Sequence, residues 1–352
     1  MGRGHRLDLR PPARAAARHS LREPSGAQQA ESSDAFGPEQ PPMTRTAIAI
    51  CTYRRPDGLA RVLKSLDSLT SDPAADRNVV VIVVDNDPAG SAASTVAKWD
   101  KSFRFPLTYV SEPRKGLANA RNAALAKARA SKADRLAFID DDEMASPGWL
   151  EALDDSMDRT AAAIIAGPTY PLFQRPPDSW TPIRGYAYVP LLRQGVAQDA
   201  SSANILIDLK KLEITFDPIF NESGGEDTHF VTRAMNAGER IGWAPAAIVW
   251  DAIPVTRMKT SWLLRRWFRT GVTEAKIDAL KSGAAVGRIR NAWSGLIRVA
   301  YGSVRIAYGA VRAFPSAPYL LVANCYTFCR GLGYLVGALG RSFAEYSTSR
   351  YR

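Results

Sequence analysis

The chain has 352 residues, of which 46% are hydrophobic and 23% are charged, and this composition excludes wholesale disorder. Its three cysteines are too few for a disulfide framework, which predicts an intracellular protein. Its three histidines exclude any site that needs several imidazole ligands. A metal would be held mainly by oxygen atoms, which favours Mg²⁺ or Mn²⁺ over Zn²⁺.

The net charge of +11 is unevenly distributed along the chain. Residues 257–352 contain 16 basic and 3 acidic side chains, a balance of +13, whereas the rest of the chain has a balance of −2. Because the body of the chain is not basic, the charge argues against a nucleic-acid partner. It predicts instead that the C-terminal segment faces anionic lipid, such as that of the inner leaflet of a membrane.

Residues 1–43 are predicted to form a disordered basic arm. Six arginines lie between positions 3 and 22, and the apolar residues have no period that would build a core. The segment has no uninterrupted apolar stretch of the kind found in secretory signals. Met43 directly precedes the first strand, so the alternative is a later start codon that leaves 1–42 untranslated.

Strands and helices alternate from position 46 onward. The segment 79–84 (VVVIVV) has no polar alternation, which is typical of a strand buried on both faces of a parallel sheet. The predicted strands are 46–50, 79–84, 135–139 and 161–166, and the predicted helices include 58–69 and 117–130. This order predicts a doubly wound α/β domain over 44–256, with its ligand at the carboxyl ends of the strands.

A run of four carboxylates, from Asp140 to Glu143, follows the strand at 135–139. Such a run repels itself unless a cation neutralises it. Asp140 and Asp142 are two residues apart and point the same way in extended backbone, so they can hold Mg²⁺ or Mn²⁺ beside a phosphate. The alternative is an acidic loop that leads into the helix after Ser146, and the position after a buried strand favours the metal.

Three other polar segments have both a functional and a structural interpretation. Asp85, at the end of the second strand, suits hydrogen bonds from a ribose or base, although 85–87 also suits a plain turn. Residues 112–122 place basic side chains before a helix, which fits an anion or an exposed helix start. The glycine turn at 224–225 leads to Glu226 and Asp227, where a carboxylate serves as general base or only complements the helix dipole.

Five segments in this order resemble the motifs of a family 2 glycosyltransferase of the GT-A fold: 46–66, 79–87, 112–122, 138–143 and 224–233. The resemblance covers residues 46–269 and is strongest to bacterial exopolysaccharide glucosyltransferases of the succinoglycan type. It implies a Rossmann-like α/β mixed sheet with helices on both faces. The composition adds C-terminal membrane-associated helices over 257–352.

The resemblance also implies roles for particular residues. It places the nucleotide of a nucleotide-sugar donor against six side chains: Thr52, Tyr53, Asp85, Arg121, Asn122 and Asp140. It makes Asp142 the ligand of the divalent cation, near Asp140, and makes Asp227 the catalytic base. Many family members have a histidine after a late strand, where this chain has Asp251. An aspartate can coordinate the same cation, and the third ligand is left open.

The surroundings of these motifs lead to further expectations. Arg257, Arg265 and Arg266 follow Asp251, and one of them is placed to contact the diphosphate; membrane contact is favoured for Arg265 and Arg266. The acceptor is expected between 167 and 207, on a surface that includes Trp180, Tyr186, Tyr188 and the stretch 201–204.

Arginines at 298, 305 and 312 repeat every seven residues, which predicts a basic amphipathic helix on an anionic leaflet. The alternative is an ordinary helix packed on the catalytic domain. Residues 316–340 are almost wholly apolar but contain Arg330, which predicts a monotopic hairpin or a marginal transmembrane segment.

Together these features predict a metal-dependent inverting glycosyltransferase at the cytoplasmic face of the inner membrane. Its expected donor is a nucleotide sugar, with a UDP-sugar favoured, and its expected acceptor is a lipid-linked saccharide. The alternative is a non-catalytic nucleotide-binding or membrane-scaffold protein that keeps the fold.

Overall fold

The computed structural model describes residues 44–70, 78–313 and 316–341. The predicted basic arm at 1–43 lies outside the described residues and stays a prediction.

The strands of the described residues are β1 (Thr46–Thr52), β2 (Val79–Asp85), β3 (Leu107–Ser111), β4 (Arg135–Ile139), β5 (Glu143–Ala145), β6 (Ile164–Ala166), β7 (Thr169–Phe173), β8 (Leu192–Arg193), β9 (Val196–Ala197), β10 (Asn204–Asp208), β11 (Ile241–Trp243) and β12 (Val249–Ile253). The helices are α1 (Pro56–Asp67), α2 (Ala93–Trp99), α3 (Leu117–Ala130), α4 (Trp149–Thr160), α5 (Glu226–Asn236), α6 (Thr260–Ser282), α7 (Ala284–Ala313) and α8 (Pro318–Ala338).

The main sheet of the described chain has nine strands in the order β3-β2-β1-β4-β10-β6-β11-β9-β8. Strands β1 to β4 are parallel, whereas β10 runs antiparallel between β4 and β6, so the sheet is mixed. A smaller sheet joins β5, β12 and β7. The predicted α/β fold with a mixed sheet is confirmed, and the crossovers bring the carboxyl ends of β1, β2 and β4 to one edge.

Alternate residues of β1 face two separate cores. Ala47 and Ala49 pack in the core that includes Ala124 of α3 and Phe230 of α5. Ile48 and Ile50 pack in the second core, which includes residues of α1 and α4. Because both faces of the strand are buried, the side chains of β1 and β2 are apolar without alternation, as the sequence pattern predicted.

In the described part of the chain three helices follow β12, and α8 packs against both of the others. Glycines allow the close approach: a Cβ at Gly302 of α7 would lie 2.6 Å from the backbone nitrogen of Phe328 in α8. Arg330, within α8, forms an ion pair with Glu274 of α6, so its charge is neutralised inside the bundle. Among the described helices, none combines the length and the apolar character needed to cross a membrane.

Candidate active site

The parallel register brings three strand ends together. Thr52 of β1 pairs with Asp85 of β2, and Asp85 pairs with Ser111 of β3. The Thr52 hydroxyl donates to Oδ2 of Asp141 at 2.8 Å, which ties the end of β1 to the acidic run after β4. The predicted meeting of polar strand ends is therefore present in the structure.

The four carboxylates of the acidic run alternate between buried and partly exposed positions. The side chains of Asp140 and Asp142 are 37% and 21% exposed, whereas Asp141 and Glu143 are buried. Burial raises the pKa of Asp141 to about 6 although Arg55 opposes it, and burial raises the pKa of Glu143 well above its ordinary value. Within the run, Asp141 and Glu143 thus face the interior, and only Asp140 and Asp142 are open to a ligand.

Two arginines neutralise Asp142. Nη1 of Arg55 lies 2.9 Å and Nη1 of Arg257 lies 3.0 Å from the same oxygen, Oδ2. Arg55 also donates to Oδ1 of Asp141 at 2.8 Å. Arg257, one of the three arginines considered for the diphosphate, therefore does lie at the acidic run.

Arg266 also belongs to this region. Burial lowers the pKa of Arg266, while the charges of Asp251 and Asp142 oppose that shift. Arg266 is half-buried, with its guanidinium carbon 5.4 Å from the ring centroid of Trp262 in the same helix. Its contact with a membrane stays a prediction. Arg265, one residue earlier, is exposed.

Asp251 reaches the acidic run through the small sheet. Strand β12 pairs antiparallel with β5, which places Asp251 opposite Glu143. Burial and the charge of Asp142 raise the pKa of Asp251 to about 6, and its Oδ1 atom is buried without a hydrogen-bond partner in the described structure. A buried unpartnered carboxylate oxygen is a position that a cation or a bound proton would satisfy.

The fit of this region to a divalent cation rests on oxygen chemistry. Within the described ranges, no three histidine, cysteine, aspartate or glutamate side chains are gathered closely enough to hold a metal by themselves. Mg²⁺ and Mn²⁺ need less than that in nucleotide sites, because one or two carboxylates act together with substrate phosphates. Asp142 and the free oxygen of Asp251 fit that arrangement, with Asp140 beside them.

Arg121 joins the acidic run to the glycine turn. Its guanidinium is buried, donates from Nη1 to Oε1 of Glu226, and lies 3.4 Å from Oδ1 of Asp140 through Nη2. Burial alone would lower the pKa of Arg121, but the charges of Glu226, Asp140 and Asp227 outweigh burial and raise it. A permanent cation in the interior therefore fixes the ends of β4 and α5 relative to each other.

Asp227 directly follows Glu226, which Arg121 joins to the acidic run. It is half-buried at the start of α5, and its Oδ1 accepts from the backbone nitrogen of Thr228 at 2.6 Å. Its charge acts on Asp140, as does that of Asp142, and both contribute to raising the pKa of Asp140 beyond the effect of burial. Asp227 and Asp142 are therefore both neighbours of Asp140 and do not lie on opposite sides of the molecule.

The predicted nucleotide contacts differ in their surroundings. The Tyr53 ring is half-buried, with the Arg54 guanidinium 5.1 Å and the Lys115 ammonium 5.5 Å from its centroid. Positive charge thus lies beside the aromatic face, which suits an anionic ligand. The contact of Thr52 and Tyr53 with a base stays a prediction.

Asp85 is fully buried and serves the turn after β2. Its carboxylate accepts from the backbone nitrogens of Asp87 at 3.0 Å and Ala92 at 2.7 Å, and from the Tyr109 hydroxyl at 3.1 Å. These bonds account for the acidic residue in structural terms. The contact between Asp85 and a base stays a prediction.

Asn122 and part of the expected acceptor surface make contacts within the protein, and the contact of Asn122 with a nucleotide stays a prediction. The Asn122 amide donates to the backbone oxygen of Phe216 and accepts from its nitrogen, both at 2.8 Å, so both ends of the side chain are occupied. Tyr186 and Asn204 are buried in the interior, where Asn204 accepts from the indole of Trp149. The expectation that Tyr186 and Asn204 bind an acceptor sugar is therefore wrong, whereas Trp180 is exposed and stays a candidate.

The sequence analysis did not predict that Arg55 binds the acidic run, nor that Glu226 forms a buried ion pair. The signal for Arg55 was present, because two arginines follow one residue after the end of β1, at the edge of the sheet that carries the four carboxylates. Glu226 was seen only as a neighbour of Asp227. Its buried partner, Arg121, is 105 residues away in the chain, and no local pattern marks such a pair.

The fold and the polar strand ends define a class of α/β enzymes, and comparisons with known proteins agree with it. The model of the family described as glycosyl transferase family 2 matches residues 47–216. Succinoglycan biosynthesis protein ExoM of Rhizobium meliloti (strain 1021) is 33% identical over 251 residues, which cover 70% of this chain and 78% of that protein. The chain belongs to glycosyl transferase family 2 and is a glycosyltransferase.

A solved structure of a mannosyltransferase shows the same fold. The mannosyltransferase PcManGT from Pyrobaculum calidifontis, in complex with GDP-Man and Mn²⁺, matches with a TM-score of 0.55 and 17% identity over 87% of this chain and 89% of that chain. A second match is S. aureus TarS 1–349 in complex with UDP-GlcNAc, with a TM-score of 0.47 and 14% identity over 82% and 90% of the two chains. The GT-A fold expected from the sequence motifs is confirmed.

Proposed function

We propose that this glycosyltransferase transfers a sugar, with inversion, from a nucleotide-sugar donor to a hydroxyl of a lipid-linked saccharide during exopolysaccharide synthesis. A UDP-sugar is the favoured donor, and Mg²⁺ or Mn²⁺ is the required cation. The similarity to a succinoglycan biosynthesis protein supports the pathway. The lipid-linked acceptor is the class that the resemblance of the sequence motifs to exopolysaccharide glycosyltransferases suggests. The proposed site of action is the cytoplasmic face of the inner membrane.

One observation carries the chemistry: Arg121 contacts both Asp140 and Glu226. Asp140 belongs to the acidic run, and Glu226 is the neighbour of the proposed base Asp227. By tying these two loops together, the buried arginine would hold a donor at the first and an acceptor hydroxyl at the second close enough to react directly. That separation of roles is what a direct displacement needs.

Asp227 is the proposed base for the acceptor hydroxyl. Its carboxylate is half-buried and keeps one oxygen, Oδ2, outside the hydrogen bonds that Thr228 makes to Oδ1. The base takes the hydroxyl proton as the oxygen attacks the anomeric carbon from the face opposite the leaving nucleoside diphosphate. A single displacement with one base inverts the configuration at that carbon.

The acidic run and its arginines serve the leaving group. Asp142 and Asp251, near Asp140, would hold the divalent cation, which supplies charge neutralisation to the departing diphosphate. Arg257 adds a permanent positive charge beside Asp142, and Lys115 adds another near Tyr53. These side chains orient the diphosphate and stabilise the charge that develops on it.

The experiment is a donor screen combined with two matched substitutions. UDP-, GDP- and dTDP-sugars are offered with Mn²⁺ or Mg²⁺ and a lipid-linked acceptor, and release of nucleoside diphosphate is measured. Asp227→Asn should lower turnover roughly 10²–10⁴-fold, the usual value of a general base, while donor binding persists. Glu222→Gln, on the exposed part of the same turn, removes one charge outside the cleft and should turn over normally.

Two outcomes would contradict the proposal. Equal turnover by Asp227→Asn and the wild type would remove Asp227 as the base. Absence of binding for every donor with both cations would remove the proposed donor class and cation.

A further inference from the structure

The outer face of α7 is apolar along its whole length. Six residues spaced by three, four or seven positions share this face, and each is 62–85% exposed: Val286, Ile289, Trp293, Ile297, Val304 and Val311. At 1.5 Å per residue, the stripe from Val286 to Val311 is about 38 Å long. A contiguous exposed apolar surface of this length marks an interaction site.

The inner face of α7 shows that the arrangement is not an ordinary amphipathic helix. Gly295, Gly302 and Gly309 recur every seven residues and contact α8. Asn291 is fully buried and donates to the backbone oxygen of Ala275 in α6 at 2.7 Å. The helix therefore buries glycine and asparagine and exposes tryptophan, isoleucine and valine, the reverse of the usual pattern.

Arginines flank one edge of this stripe. Arg305 donates to Oδ1 of Asn324 from two nitrogens, at 3.2 and 3.0 Å, and its guanidinium carbon lies 5.9 Å from the Tyr301 ring centroid. Arg298 and Arg312, seven residues to either side, lie 4.3 and 5.7 Å from the ring centroids of Tyr334 and Tyr308. A row of cations beside an apolar face matches phosphate headgroups beside acyl chains.

We propose that α7 lies in the plane of an anionic membrane surface, with the stripe inserted at the acyl boundary and Arg298, Arg305 and Arg312 on the phosphates. A second copy of the chain is the competing occupant of the stripe. Such a dimer would bring the arginine rows of two copies together. These rows would repel each other, because each lies in a segment with a charge balance of +13. Anionic lipid supplies the opposite charge and the apolar partner at once.

The test is flotation of the full chain with vesicles of phosphatidylcholine alone or with added phosphatidylglycerol. The wild type should float with the anionic vesicles and lose most of that binding in high salt. The combined substitution Trp293→Ser, Ile297→Ser and Val304→Ser should weaken binding at least roughly 100-fold, because three large apolar side chains no longer enter the bilayer. Leu191→Ser with Leu192→Ser, two exposed leucines in and beside β8, is the matched control and should bind as the wild type does.

A second variant separates charge from apolar insertion. Replacement of Arg298, Arg305 and Arg312 by glutamine should lower binding to anionic vesicles roughly 100-fold and leave binding to neutral vesicles unchanged. Circular dichroism confirms that each variant is folded. The proposal would be overturned if the serine variant floated as well as the wild type. It would also be overturned if light scattering showed a dimer for the wild type and a monomer for the serine variant.

This inference is independent of the proposed chemistry. The serine variant should hydrolyse a soluble donor, or transfer its sugar to a soluble acceptor analogue, at the wild-type rate, because α7 contributes no residue to the acidic run. Loss of vesicle binding with retained soluble turnover is the expected combination.

Discussion

Arg121 of α3 and Glu226 of α5 form an ion pair in which both side chains are buried. Glu226 is the first residue of α5, and the second guanidinium nitrogen of Arg121 lies beside Asp140 at the end of β4. The pair therefore controls the position of Asp227 relative to the acidic run without either partner being a base or a cation ligand. The position of Asp227 should affect the reaction rate strongly, because small displacements misalign donor and acceptor.

Removal of Arg121 should destabilise the fold strongly. Arg121→Met leaves the Glu226 carboxylate buried without its cation, and such broken pairs cost about 3–5 kcal/mol. The free energy of unfolding is measured in urea, with Lys127→Met as a control on the exposed face of the same helix, expected within about 0.5 kcal/mol of the wild type. In the double variant with Arg121→Met and Glu226→Gln, much of the lost free energy of unfolding should be restored. If the losses of the two single variants simply add, the two residues are not coupled and the ion pair is contradicted.

The stability of the protein should fall as pH rises from 4.5 to 7 because of Glu226. Burial raises the pKa of Glu226 from 4.5 to about 7, with Arg121 opposing the shift and Asp227 adding to it. Between these values the folded state holds a proton that the unfolded state has released, so a rise in pH favours unfolding. Glu226→Gln does not titrate, and the difference in unfolding free energy between wild type and variant should decrease across this window. Parallel pH curves for the two proteins would contradict the expectation.

Much of the fold was predictable because local patterns determine it. The apolar run at 79–84 becomes the buried strand β2, and the turn glycines at 224–225 precede α5 as expected. The acidic run was also visible, but the expectation that Asp140 and Asp142 lie in extended backbone is wrong. The backbone nitrogen of Glu143 donates to the backbone oxygen of Asp140 and closes a turn through Asp141 and Asp142, so the alternating burial of the run comes from this turn.

The contacts that complete the site were not predictable, because they join distant parts of the chain. Asp251 meets Glu143 only through the pairing of β12 with β5, and Arg257 reaches Asp142 from 115 residues away. The seven-residue arginine period indicated a helix, but not which face of that helix is covered. That answer depends on Gly302 and its contact with Phe328, a packing detail without a local signal.

Mn²⁺ together with a nucleoside diphosphate should stabilise the protein through the carboxylates at the acidic run, because these carboxylates would bind the cation jointly with the phosphates. A ligand that binds only the folded state adds about 2.7 kcal/mol at a concentration of 100 times its Kd, which thermal unfolding detects without any turnover. Asp142→Asn and Asp251→Asn should each abolish most of this stabilisation, because each removes a charged oxygen ligand. Asp155→Asn, on the exposed side of α4, is the matched control and should respond as the wild type does. Equal Mn²⁺ stabilisation in all four proteins would place the cation elsewhere.

Arg257 should contribute to donor binding and Arg265 should not. Nη1 of Arg257 lies 3.0 Å from Asp142, and its guanidinium carbon lies 5.9 Å from the ring centroid of Trp262, so the charge is held at the proposed diphosphate position. Arg257→Gln removes a charge-assisted hydrogen bond worth about 1.5–3 kcal/mol, which raises the donor KM by roughly 10- to 150-fold. Arg265→Gln is the matched control, because Arg265 is exposed near the start of α6. Steady-state kinetics with varied donor measure both values. An unchanged KM for Arg257→Gln, or equal losses in the two variants, would show that the arginine only neutralises Asp142.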